Sequence, residues 1–320
     1  MRYRKIALTA AAAGLMAVGF AAPSQAALTT FCDGVAADVT VPGDLVVAAN
    51  KSCELTNVTI NGNVTVRADA NLLLDGSTVN GNVRVLANGF GDLVGTSVTG
   101  TTVLNAAYGV YTEESALGNN VTSTDSGFFY SVGSNHARSV TSTNGETFIE
   151  SGWVSRNLAT TGDTLTDVYD TVIEGTYSVT GAEQGAILCL SEVDGDATFS
   201  GTPGDMQAIL QIGASAPLTG CGFNVFGGDL SVTDNMAESY VSDNVVRGDL
   251  TCSGNTPATV AENNRVRGED NCESAMAAAS ARSSMRSDVA ADRKAEVKAD
   301  AEARSEVAED AAEAAGPAFS

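Results

Sequence analysis

Apolar and polar residues alternate in short bursts along most of the chain, and the bursts return at a nearly constant distance. Residues 59–85, TINGNVTVRADANLLLDGSTVNGNVRV, contain Asn61-Gly62-Asn63-Val64 and, 19 positions later, Asn80-Gly81-Asn82-Val83. The same small-polar-apolar start falls at Gly43, Gly62, Gly81, Gly100, Asn119, Arg138, Arg156, Gly175, Gly195, Gly228, Gly248 and Gly268. The intervals are 18 to 20 residues, apart from one of 33 between Gly195 and Gly228. Two positions into the units stand Leu45, Val64, Val83, Val121, Val140, Leu158, Tyr177, Leu230 and Leu250; two further on come Val47, Val66, Val85, Leu104, Val179, Phe199 and Val232. Such alternation marks a half-buried strand. A second apolar pair lies mid-unit, as in Cys53 and Leu55, Leu72 and Leu74, then Phe129 and Phe148. A third column, Ile60, Val79, Val98, Leu117, Val154, Ile173, Val193, Val246 and Val266, closes the units.

Three short strands per unit, separated by Gly, Asn, Asp or Ser, superimpose in register and in one direction, so each unit is a coil rather than a hairpin. The expected fold is all-β: a single-stranded parallel β-helix over residues 27–272, of about twelve coils and roughly 55 Å at ~4.8 Å per coil. A right-handed winding is expected. Column two of the repeat, with Asp44, Asn63, Asn82, Asn120, Asn157, Asp196, Asp229 and Asp249, suits side chains that bond neighbouring backbone at tight corners.

Before the first coil, Met1-Arg2-Tyr3-Arg4-Lys5, an apolar run from Ile6 to Ala22 and Ser24-Gln25-Ala26 read as a signal peptide of residues 1–26. The mature protein is therefore expected outside the cell or at its surface, without membrane insertion. Loss of three cations takes the formal charge from −22 to −25, which excludes nucleic acid as a sensible partner. Cell-surface or extracellular polysaccharide remains compatible, as does self-association. Coils between Gly43 and Gly195 differ by at most two residues in length, leaving no loops to wall a catalytic cleft. Glu113-Glu114 and Asp167 to Asp170 are the densest acids there and read as surface turn residues. A non-enzymatic protein without cofactor or metal is expected, serving as a structural or surface-interaction element; a polysaccharide-active enzyme is the weaker alternative.

Six cysteines fit the register. Cys252 and Cys272, 20 apart, and Cys32 and Cys53, 21 apart, are expected to stack in one inward column on consecutive coils, and Cys189 and Cys221 to stack across the 33-residue unit. The pairings 32–53, 189–221 and 252–272 follow. The extra residues of the long unit are placed in one loop near 213–220, GASAPLTG. His136 falls in the inward column between Leu117 and Val154, and Trp153 is expected to pack under a turn, an exposed carbohydrate platform being the weaker alternative. Residues 273–320 turn to Ala, Glu, Asp, Lys, Arg and Ser, with Val289, Val297 and Val307 too sparse for a burying stripe. They are expected to form a solvated, helical or disordered tail.

One outward surface stands out. First-strand positions read Thr122 and Thr124, Thr141 and Thr143, Ala159 and Thr161, Ser178 and Thr180, Thr198 and Ser200, Ser231 and Thr233, Thr251 and Ser253. This face resembles the Thr-x-Thr ladders of β-helical antifreeze proteins, a resemblance that implies binding to ice or ordered water; a glycan is the other ligand for such hydroxyls. Thr122, Thr124, Thr141, Thr143, Thr161, Thr180 and Thr233 are the candidate binding residues. The GNV/GDL units and the closing GDLTCSGNTPATVAENNRVRGEDNC, residues 248–272, resemble uncharacterised secreted β-helix proteins of actinobacterial type. More distantly the units are similar to bactofilins, which implies end-to-end polymers.

Overall fold

A computed structural model describes residues 28–204, 208–214, 221–272 and 281–319, the last segment with side chains from residue 290 onward. The expected signal peptide, and most of the 213–220 loop, lie outside the described residues. Three parallel sheets of 13, 12 and 12 strands run the length of the solenoid, each coil giving one strand to each sheet in turn. In the first sheet Leu45, Val64, Val83, Thr102, Val121, Val140, Leu158, Tyr177, Ala197, Leu230 and Leu250 form one continuous inward column, as the periodicity requires.

The repeated Gly and Asn have separate jobs. A Cβ on Gly81 would lie 2.4 Å from the Gly62 carbonyl oxygen, and one on Gly100 2.4 Å from that of Gly81, so these two coils close only on glycine; Asn119, Arg138 and Arg156 hold the same position in three middle coils. The next residue ties them together: the backbone N–H groups of Asn63, Asn82 and Thr101 donate to Asp44 Oδ1, Asn63 Oδ1 and Asn82 Oδ1 at 2.7, 3.0 and 2.8 Å. At the corner between the second and third sheets, Asn57, Gly76, Gly95, Glu114 and Gly133 sit in the left-handed region, with φ from 48° to 58°, where Gly and Asn cost least.

All three disulfides form as paired from the register. Cys252 and Cys272 do extend one column, since Thr251 faces Asn271. Cys32 and Cys53 do not: Cys32 lies opposite Val47 in the first sheet, and Cys53 opposite Gly34 in the second. Their bond bridges the corner between sheets, which is why they are 21 residues apart rather than 19.

Two irregular coils depart from expectation. In the long coil, eight residues separate Ser200 from Ile209 and eleven separate Gly213 from Val225, against four and two at the same corners of the preceding coil. The extra length is thus split between two corners. In the 18-residue coil the first corner is one residue short: Thr124 faces Thr143, 19 apart, but Phe129 faces Thr147, 18 apart. Phe148 consequently stands opposite Tyr130 and points outward, not into the mid-unit core column with Phe129. Buried Asp163 of the next coil closes this corner, accepting from Gly145 N–H at 3.1 Å, Ser142 Oγ at 3.0 Å and Thr147 Oγ1 at 2.8 Å.

The described part of the tail docks on the solenoid instead of standing free in solvent. Helix α1, Ala281–Ala315, runs back along the outer face of the second sheet. Ala290, Val297, Ala301, Ala308 and Ala312 are buried. Their 7-4-7-4 spacing is an 11-residue repeat, which keeps one face of a nearly straight helix on target. Ala290, Val297 and Ala301 pack with Phe90, Tyr111, Phe128, Tyr130 and Phe148 of the sheet. The second sheet is therefore covered on both faces, with an aromatic cluster on its outer face beneath the helix. Beyond the helix, Val35 N–H donates to Gly316 O at 2.8 Å and Ala318 N–H to Val35 O at 2.9 Å. The chain's own C-terminal segment covers the starting edge of the second sheet, where an open edge would invite association.

Candidate functional site

The Ser/Thr positions of the first sheet come together as predicted. Thr122, Thr141, Ala159, Ser178, Thr198, Ser231 and Thr251 form one outward column, and Thr124, Thr143, Thr161, Thr180, Ser200, Thr233 and Ser253 a second beside it. With coils ~4.8 Å apart and alternate strand residues ~6.7 Å apart, the hydroxyls define a two-column net over seven coils. None of these positions is buried: Thr141, Thr161, Thr180 and Ser253 are exposed and the rest half-buried. Helix α1 lies against the second sheet and leaves this face free.

The opposite chemistry governs the helix-covered sheet. Arg293 grips buried Glu146 through two bonds of 2.8 and 2.7 Å, while Lys294 Nζ lies 3.0 Å from Glu150 and 3.4 Å from Asp167. Arg304 donates to Asn71 Oδ1 at 2.7 Å and lies over the Tyr108 ring. Ser305 donates to Asp92. Burial pushes the Asp167 carboxyl up, partly opposed by Lys294. Burial pushes Glu150 the same way, but the Tyr130 hydroxyl and Lys294 outweigh it and hold it low. Toward the helix C-terminus the seam is acidic on both sides. Burial, with Glu309 and Glu313, raises Glu54; burial, with Glu113, Glu309 and Asp75, raises Asp92 against its bond from Ser305.

Other singled-out residues fall as follows. His136 is fully buried between Leu117 and Val154, its Nε2 2.9 Å from Ser131 Oγ. Burial pulls its pKa down to about 4. Trp153 corrects the expectation: it points outward from the third sheet, 43% exposed. Asp167 is not a surface turn residue but a buried strand residue beneath the helix, whereas Asp170 is an exposed corner residue bonded by Ser151 Oγ at 3.0 Å. Among the described residues no set of three or more His, Cys, Asp or Glu side chains is arranged to hold a metal ion, and no helix is long and apolar enough to cross a membrane.

The helix-covered aromatic stripe went unread in the sequence. Its signal was the loss of alternation in strands such as Phe128–Val132 and Glu146–Glu150, where four consecutive residues are buried, as happens when both faces are covered. No protein-family model, curated protein or solved structure matches the chain.

Proposed function

We propose that the protein is a non-enzymatic, extracellular surface-interaction module that meets a hydroxyl-rich polysaccharide through the first sheet. The observation that carries the reading is the two-column Ser/Thr net over seven coils, open along its length while the second sheet is covered by the chain itself. Rigid hydroxyls at regular spacing pair with sugar hydroxyls at little entropic cost, because the strands are already ordered. Three disulfides and the signal-like N-terminus support an extracellular setting. The self-covered edge at Val35 favours lateral contact over end-to-end polymerisation.

Retention of the purified secreted chain on insoluble polysaccharides tests the reading. Wild type should be retained, and Thr141→Lys with Thr161→Lys should abolish retention without loss of fold. Equal retention of both proteins sinks the proposal, and release of soluble sugar would point to an enzyme. Ice shares the chemistry of an ordered hydroxyl lattice, so an ice-recrystallisation assay on the same pair discriminates the second ligand.

A further inference from the structure

The short corner of the 18-residue coil makes a notch. Its neighbours on either side carry one residue more, so Asn144, Gly145 and Glu146 lie on the floor of a cavity of about 630 Å³ at the junction of the first and second sheets. Asp125 rims it from the coil before, Thr164 and Gln184 from the two coils after, and Arg293 and Glu296 of α1 form its far wall. Such a volume suits one or two sugar rings.

The notch continues the Ser/Thr face. Asp125 directly follows Thr124, and Asn144 directly follows Thr143. Its chemistry is that of a neutral polyol site. Glu146 is already neutralised by Arg293, and Arg293 also holds Glu296. Asn144 is oriented by donating to Asp125 Oδ1 at 2.9 Å. The Thr164 hydroxyl and Gln184 amide have no hydrogen-bond partner among the described residues and offer both donors and acceptors. Three carboxylates against one guanidinium repel an anionic sugar, and no unpaired buried acid is present to fix a cation.

We propose that this notch is a subsite for a neutral saccharide unit, a side branch or chain end of a polysaccharide lying along the first sheet. The proposal deepens the function proposed above and rests on that reading for its polymer, but the notch can be tested by itself. Neutral mannose- and glucose-based trisaccharides and a uronate trisaccharide would be titrated into the purified secreted chain by ligand-observed NMR. The proteins are wild type and the notch variant Thr164→Val with Gln184→Leu.

A neutral trisaccharide should bind wild type, bind the notch variant about tenfold more weakly, and outcompete the uronate. Binding unaffected by the notch substitutions, absence of trisaccharide binding, or preference for the uronate or for a polyamine such as spermidine would overturn the proposal. Polysaccharide retention separates the two claims. If polymer is retained while trisaccharides ignore the notch, the face reading survives and the subsite falls; the reverse pattern spares the subsite and removes the face.

Discussion

Replacing Lys294 with Met is expected to loosen helix α1 without unfolding the solenoid. The ammonium, about one-fifth exposed, lies 3.0 Å from Glu150 and 3.4 Å from Asp167, and Met preserves most of the stem that packs on the sheet. What disappears is the only cation in ion-pair contact with Asp167 among the described residues. Charge-assisted bonds are worth about 1.5–3 kcal/mol, and the partial exposure argues for the middle of that range. A loss of about 2 kcal/mol corresponds to roughly 30-fold in the docking equilibrium. Amide hydrogen exchange over residues 290–312 reads this directly as about 30-fold faster exchange, with the coils near Val64 and Val83 unchanged. Lys294→Met combined with Asp167→Asn should recover most of the protection, because the stranded carboxylate is then gone.

The variant also carries a pH signature. Burial raises the Asp167 carboxyl when the helix is docked, so the Asp167 contribution to docking is complete below the ordinary carboxylate pKa and is lost as pH rises through the raised docked value, while Glu150, held low by Tyr130 and Lys294, contributes in the opposite sense. Glu54 and Asp92, raised by burial and by Glu309 and other facing acids, act in the same sense as Asp167 in wild type. Removing Lys294 should steepen the dependence. Exchange within threefold of wild type at pH 7, or a variant whose protection falls on acidification, would refute the assignment of this contact as an anchor of the helix.

Two further outcomes follow from the core and the last coil. His136, drawn down to about 4 by burial, must be neutral in the folded state. Its contribution is complete above an unfolded value near 6.5 and is lost as pH falls toward 4, about 3 kcal/mol in all; urea titrations of His136→Leu should lack this component relative to wild type. Replacing Cys252 and Cys272 with Ser removes a 20-residue closure worth about 3 kcal/mol. Limited proteolysis should then cut within the final coils while residues before Gly228 stay intact, and an unchanged digestion pattern would show that the last coil needs no staple.

The solenoid was legible because its signals are redundant. The inward column from Leu45 to Leu250, the coil-closing glycines and the side-chain ties from Asp44, Asn63 and Asn82 all keep one phase, and parallel stacking has no other solution. The Ser/Thr face was legible for the same reason, being the polar half of that alternation. What failed lay where the phase slips or the contrast is weak. One missing residue between Asn144 and Thr147 moved Phe148 to the outside, a shift that interval counting between unit starts does not localise. The docking face of α1 is written in Ala290, Val297, Ala301, Ala308 and Ala312. Alanine also fills the exposed face of the helix, so hydrophobic contrast disappears although the 7-4 spacing remains. The small side chains are what let a long helix lie close on a row of aromatic rings. Trp153 was misplaced because a lone aromatic next to a corner carries no periodic information of its own.

Hydroxyl-radical footprinting of the protein free and adsorbed on a retained polysaccharide tests the central claim most directly. The account predicts protection confined to the first sheet, in segments 121–124, 140–143, 158–161 and 177–180. Trp153 on the third sheet and the exposed face of α1 should be modified as in the free protein. Protection centred on Trp153 or on the helix, with the Ser/Thr columns unprotected, would contradict it.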